Sequence, residues 1–262
     1  MCRQIAIIIL FASSIAGCKS VQSETAIFST PVISKTTPIL PTSTIPPTTT
    51  PLQLSPTPDL SIYAFPDSID PAKQYMFYLH GKIIEDQGIP AISPDYGEYE
   101  YAAILEKLSG YGFVVISEPR PKNTDGVEYA RKITTQVTSL LNAGVPAKNI
   151  TIVGASKGTG IAISVSNLLE NIGINFAIMA ICDPATVEEF RQNQIILYGN
   201  VLSIYDSSDE LAGSCQELFS SSEGKGISNH SEIILQIGTG HGILFKPLDE
   251  WIMPAVQWAR KP

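Results

Sequence analysis

The sequence predicts an α/β fold: a mostly parallel sheet of about six or more strands with helices on both faces and little or no cap. Three observations carry this. Six short apolar runs rich in Val, Ile, Phe and Tyr alternate with longer amphipathic segments. The runs are apolar at successive positions, as strands covered on both faces are. Residues capable of chemistry fall at the carboxyl ends of those runs, where parallel sheets hold ligands.

In chain order, 75–79 is the first strand, ending at His80-Gly81. Turn formers (Gly88, Pro90, Pro94, Gly97) mark a loop over 83–98. Residues 99–109 read as a helix with Ala102, Ala103, Leu105 and Leu108 on one side, and 113–116 as a strand. A long amphipathic helix over 127–141 precedes a strand at 150–153 that runs into Gly154-Ala155-Ser156-Lys157-Gly158. Helix 159–170, strand 176–181, helix 186–193, strand 201–205, helix 211–220 and strand 233–237 follow. The closing helix, 251–260, carries Pro254 in its first turn, where proline is tolerated.

The chain has 262 residues, and its first segment reads as an address rather than as fold. Arg3 supplies a positive start, residues 5–15 form an apolar run too short to span a bilayer, and small residues precede Cys18. Ile15-Ala16-Gly17-Cys18 resembles the lipobox of bacterial lipoproteins, whose cysteine becomes the lipidated first residue. Residues 1–17 are therefore expected to be a lipoprotein signal peptide. Lipid chains on Cys18 would hold the protein to the bacterial cell envelope, on the extracytoplasmic side. Between 25 and 60 there are ten Thr, eight Pro and four Ser. Such a segment cannot bury enough apolar surface to offset its ordering entropy. Residues 18–60 are expected to be a disordered tether and 61–262 the folded domain.

Composition also excludes. A formal net charge of −8 opposes nucleic-acid binding. Three histidines, and two cysteines beyond the first 18 residues, leave no cluster for a metal site; neither metal nor organic cofactor is expected. The oligomeric state is left open.

Gly154, Ser156 and Gly158 spell G-x-S-x-G between a strand and a helix. That context exposes a serine hydroxyl on a sharp turn, and the glycines leave room where larger side chains would clash. A serine needs a base. His241, in a glycine-rich turn after the last strand, is placed to serve; His230 precedes that strand and should lie at the other end of the sheet. The base needs a carboxylate. Asp206 and Asp209 follow the strand at 201–205, and Asp183 ends the strand before it; all three are candidates.

The order Ser156, acid, His241, spread over about 75–260, resembles the α/β-hydrolase superfamily, and LHGKIIEDQG, YEYAAIL and VGASKG together resemble a set of bacterial members. The resemblance implies Asp209 as the acid, three residues beyond the turn residue Asp206. It also implies an oxyanion hole from the backbone N–H groups of Lys82, after His80-Gly81, and of Lys157, without use of their side chains. His80 then becomes a shaping residue. The expected function is a membrane-tethered serine hydrolase that cleaves a small or polymer-attached ester. A catalytically inactive binding lipoprotein, or a peptidase or acyltransferase with the same triad, are the alternatives. Residues 83–98 and 118–121 are expected to rim the pocket, with Glu85, Asp86, Tyr96, Glu118 and Arg120 within reach of substrate. Cys182 and Cys215 lie near enough in this order for a disulfide, with two free thiols as the alternative.

Overall fold

The structure, a computed structural model, describes residues 59–261. The segment expected to be a signal peptide, Cys18 and the expected tether up to residue 58 lie outside the described residues. In chain order these residues form β1 (Tyr75–Leu79), α1 (Lys82–Gln87), a small hairpin of β2 (Ile92–Ser93) and β3 (Gly97–Glu98), α2 (Tyr101–Gly110) and β4 (Val114–Ile116). Then come α3 (Gly126–Asn142), β5 (Ile150–Ala155), α4 (Lys157–Leu169), β6 (Asn175–Met179) and α5 (Pro184–Gln192). Last are β7 (Gly199–Asp206), α6 (Gln216–Ser222), β8 (Ile227–Leu235) and α7 (Asp249–Ala259).

Six strands make one parallel sheet in the order β4-β1-β5-β6-β7-β8. The chain leaves β1 to one side for β4, then returns to lay β5 on the other side of β1. That reversal opens a crevice between the carboxyl ends of β1 and β5, the place where open parallel sheets bind ligands. The strands sort their side chains with period two. Met76, Tyr78, Val153 and Met179 pack with α2 and α7, while Tyr75, Phe77, Leu79, Ile152 and Phe176 pack with α3, α4, α5 and α6. Both faces are covered, as the unbroken apolar runs require. Among the described residues no helix is long and apolar enough to cross a membrane.

Four expectations are corrected. Residues 83–98 are not a bare loop, because they contain α1 and the β2–β3 hairpin. Helix α6 starts at Gln216, since the preceding segment is held by Glu232, whose carboxylate accepts from Ser214 Oγ (2.6 Å) and from the Cys215 amide (2.7 Å). Strand β8 begins at Ile227, so His230 sits within it. As an edge strand it keeps polar residues beside water, which hid its first half from a hydropathy reading. Pro254 falls inside α7. The carbonyl its missing N–H leaves free is that of Glu250, on an exposed turn.

The approach of α4 to the sheet is closer than any side chain permits. A Cβ on Gly158 would stand 1.8 Å from the Leu79 carbonyl oxygen, and one on Gly154 would stand 2.6 Å from the Gly158 carbonyl oxygen. Gly158→Ala is therefore expected to cost at least about 3 kcal/mol in urea unfolding, because backbone must move at the β1–α4 seam. A loss under about 1 kcal/mol would show the seam to be looser than described.

Candidate active site

Ser156 stands between β5 and α4 with φ 51° and ψ −117°. A non-glycine residue pays about 1–3 kcal/mol for such a conformation and keeps it only where its surroundings impose it. Here they do. Its N–H donates to the Met179 carbonyl at 3.1 Å. Three residues on, the Thr159 hydroxyl lies 2.7 Å from the carbonyls of both Gly154 and Met179, which share its one proton, and accepts from the Met179 amide (2.9 Å). The turn is thus pinned to β6 while α4 is pressed onto β1.

His241 lies in a 3-10 turn, Gly240–Leu244, after β8. The segment is drawn back across the sheet: the Phe245 carbonyl accepts from the Glu100 amide (2.7 Å), and the Pro247 carbonyl accepts from Lys107 Nζ (2.7 Å). Tyr96, Phe245 and Tyr99 form an aromatic line from His241 toward the elbow, with ring centroids 6.4, 5.3 and 5.0 Å apart in sequence. Tyr99 and Ser156 both lie within 4 Å of the space beside Gly81.

Asp209 Oδ2 accepts from His241 Nδ1 at 2.8 Å, with the carboxylate fully buried and the imidazole 13% exposed. A carboxylate can only accept, so the proton sits on Nδ1 and Nε2 keeps its lone pair for a substrate proton. The other two carboxylates are occupied. Asp206 accepts from the amides and hydroxyls of Ser208 and Thr239, which ties the turn after β7 to the turn after β8. Burial pushes its pKa up, but these four hydrogen bonds outweigh that and hold it below the usual carboxylate range. Asp183 caps α5 through the amides of Ala185 and Thr186. Among the described residues, Ser156 Oγ makes no hydrogen bond to His241; such bonds commonly tighten only when substrate is bound.

The amides of Lys82 and Lys157 open α1 and α4, where first-turn N–H groups have no acceptor within the helix. Neither helix carries a side-chain cap. The two amides flank the β1/β5 crevice.

The remaining expected residues are placed differently from one another. Arg120 is fully buried behind the crevice and Glu85 lies beside it, so neither side chain reaches the surface. Glu118 is on the exterior, paired with Lys132. Asp86 pairs with Lys82 at 2.5 Å. The Lys157 side chain, expected to be uninvolved, is buried and bonded to Glu85. Tyr96 stands beside His241 and, with Ser208, Glu210, Leu211 and residues 238–240, lines an open hollow of about 400 Å³ that Ser156 does not line. Between β6 and β7 the described chain holds α5 and its flanking turns, without a longer insertion. Cys182 and Cys215 are disulfide-bonded, with Cα atoms 5.2 Å apart. Sequence reasoning missed Tyr99, Thr159 and the Glu85 contacts. Tyr99 reads in the sequence as the start of a helix, and burial of the other two has no local signature. Among the described residues no group of three His, Cys, Asp or Glu side chains is arranged to hold a metal ion.

His80 is buried with its Nε2 accepting from the Arg120 amide at 2.8 Å, so its Nδ1–H donates to the Gly81 carbonyl, also at 2.8 Å. Burial, and then the Arg120 charge, push its pKa down from 6.5 to about 3. The unfolded chain takes up a proton that the folded one refuses, so stability falls as pH drops from 6.5 towards 3. Between about pH 7 and pH 5 this single group should remove about 2 kcal/mol. Chemical denaturation at both values, repeated on His80→Gln, should show a shallower pH dependence in the variant. An unchanged dependence would remove His80 as the cause.

No protein-family model matches the chain, and no curated protein matches it. Solved structures similar to it include SOBER1 of Arabidopsis thaliana (11% identity, 72% of this chain and 98% of that one, TM-score 0.48). A sugar hydrolase, YeeB, from Lactococcus lactis is 10% identical over 75% of this chain and 91% of its own, with TM-score 0.48. The esterase domain of a Rhodothermus marinus protein is 14% identical over 71% and 84%, with TM-score 0.44. At these scores no residue role follows from the likeness.

Proposed function

We propose that the chain is a serine hydrolase of the α/β-hydrolase superfamily that cleaves a carboxylic ester, held through Cys18 to the extracytoplasmic side of a bacterial cell-envelope membrane. The observation that carries the reading is the Asp209–His241 hydrogen bond, at 2.8 Å, in a loop folded back toward a strained serine elbow with two uncapped amides beside it. In the reaction His241 Nε2 takes the proton of Ser156 as its oxygen attacks the ester carbonyl. The carbonyl oxygen gains negative charge between the Lys82 and Lys157 amides. His241 then passes the proton to the leaving alcohol, and water repeats the sequence on the acyl-serine. The short β6–β7 connection, which holds α5 and no longer insertion that could serve as a lid, favours small or polymer-attached esters over long lipids. The Cys182–Cys215 disulfide supports an oxidising compartment. A ligand-binding protein on the same scaffold is the competing reading.

The test is labelling of the full chain in detergent with a fluorophosphonate, followed by peptide mass mapping and a panel of acyl esters. Label on Ser156, lost in Ser156→Ala and His241→Ala, is expected, with Asp209→Asn lowering kcat by about 10²–10⁴. Folded wild-type protein that neither labels nor turns over any ester would favour the binding reading.

A further inference from the structure

Three buried charges have no part in the chemistry above. The side chains of Glu85, Arg120 and Lys157 are 1%, 0% and 8% exposed. Glu85 Oε2 accepts from Lys157 Nζ at 2.5 Å and its Oε1 accepts from Arg120 Nε at 2.7 Å. Lys157 Nζ also donates to the Thr124 carbonyl at 2.7 Å. Arg120 grips His80 twice, through Nη2 to its carbonyl and through its own amide to Nε2. Its Nη1 has no hydrogen-bond partner; the guanidinium carbon stands 5.3 Å from the Tyr129 ring centroid.

The geometry points to Glu85 as a positioning residue for the oxyanion hole: its buried carboxylate fixes the Lys82 amide relative to the Lys157 amide. This rests on the esterase reading. Glu85 lies in α1, one turn after Lys82, and holds the side chain of the residue that carries the second amide. Through Arg120 it also holds His80, which leads into Gly81 and Lys82. Both donors are main-chain groups, so no rotamer can re-aim them. Their separation depends on how β1's end and the elbow are tied together, and this carboxylate is a direct tie between them. A purely stabilising role would be served at lower cost by apolar residues of the same volume. Contact with substrate is excluded by burial. Directional ion pairs are what a fixed geometry needs, since an error of about 1 Å in a catalytic array costs about 10²-fold in rate.

Lys157→Met keeps the amide at position 157 and the packing of the stem but removes the ammonium. Its kcat on a small ester, counted per fluorophosphonate-labelled site, should fall about 10- to 100-fold with KM changed less than about 3-fold. The inhibition constant of a trifluoromethyl ketone, which forms a tetrahedral oxyanion on the serine, should rise by the same factor. Lys157→Arg, which can still pair with Glu85, should recover most of the loss. Glu85→Gln should act in the same direction. Lys157→Met leaves the Glu85–Arg120 pair intact and carries the test if Glu85→Gln does not fold. Wild-type kcat per labelled site in Lys157→Met, a rise in KM alone, or an equal loss in Lys157→Arg would overturn the positioning role and leave the esterase reading standing. A wild-type protein that never labels would overturn both.

Discussion

The candidate site depends on how closely α4 is pressed against β1 and β5. No Cβ fits at Gly154 or Gly158, so the two backbones meet directly. The chain must then turn within one residue, and Ser156 takes a left-handed φ of 51° to do it. The same contact sets Leu79 beside α4, and Leu79 leads into His80, Gly81 and Lys82. One packing constraint thus places the nucleophile, both candidate oxyanion donors and the crevice they share. Hydrogen bonds from Thr159 and the buried Glu85 contacts hold that arrangement, but neither could form without the close approach.

The acid–base half of the site is held by different means. Its loops follow β6, β7 and β8; they are fastened to one another by polar side chains, while Ile243, Leu244 and Phe245 anchor the last of them in the core. Asp206 joins the turn after β7 to that after β8, while Glu232 holds the approach to α6. The Cys182–Cys215 disulfide closes a loop with sequence separation 33 at that border. Chain-entropy arguments give such a link roughly 3–4 kcal/mol of stabilisation. The nucleophile therefore sits on packed backbone and the imidazole on a cross-braced set of loops, joined by the Tyr96–Phe245–Tyr99 aromatics.

Legibility in the sequence follows this division. The interior strands could be read because burial on both faces leaves unbroken apolar runs; 75–79 is β1 to the residue. The elbow could be read because a clash between backbones demands glycine at fixed offsets from the serine. At the sheet edge the signal failed: β8 begins six residues before its apolar half, and its polar residues face water. The acid was open among three aspartates. Turn and cap chemistry uses the same side chain as catalysis, and only the positions of Ser208, Thr239, Ala185 and His241 separate the three. The Lys157–Glu85–Arg120 contacts join residues far apart in the chain, and no local spacing encodes them.

A crystal structure of the protein inactivated with a small phosphonate would test the central claim most directly. The account predicts phosphorus bonded to Ser156 Oγ, one phosphonyl oxygen about 2.7–3.1 Å from both the Lys82 and Lys157 amides, and His241 Nε2 within hydrogen-bond reach of the adduct. A phosphonyl oxygen turned away from those amides, or an adduct on another residue, would contradict it.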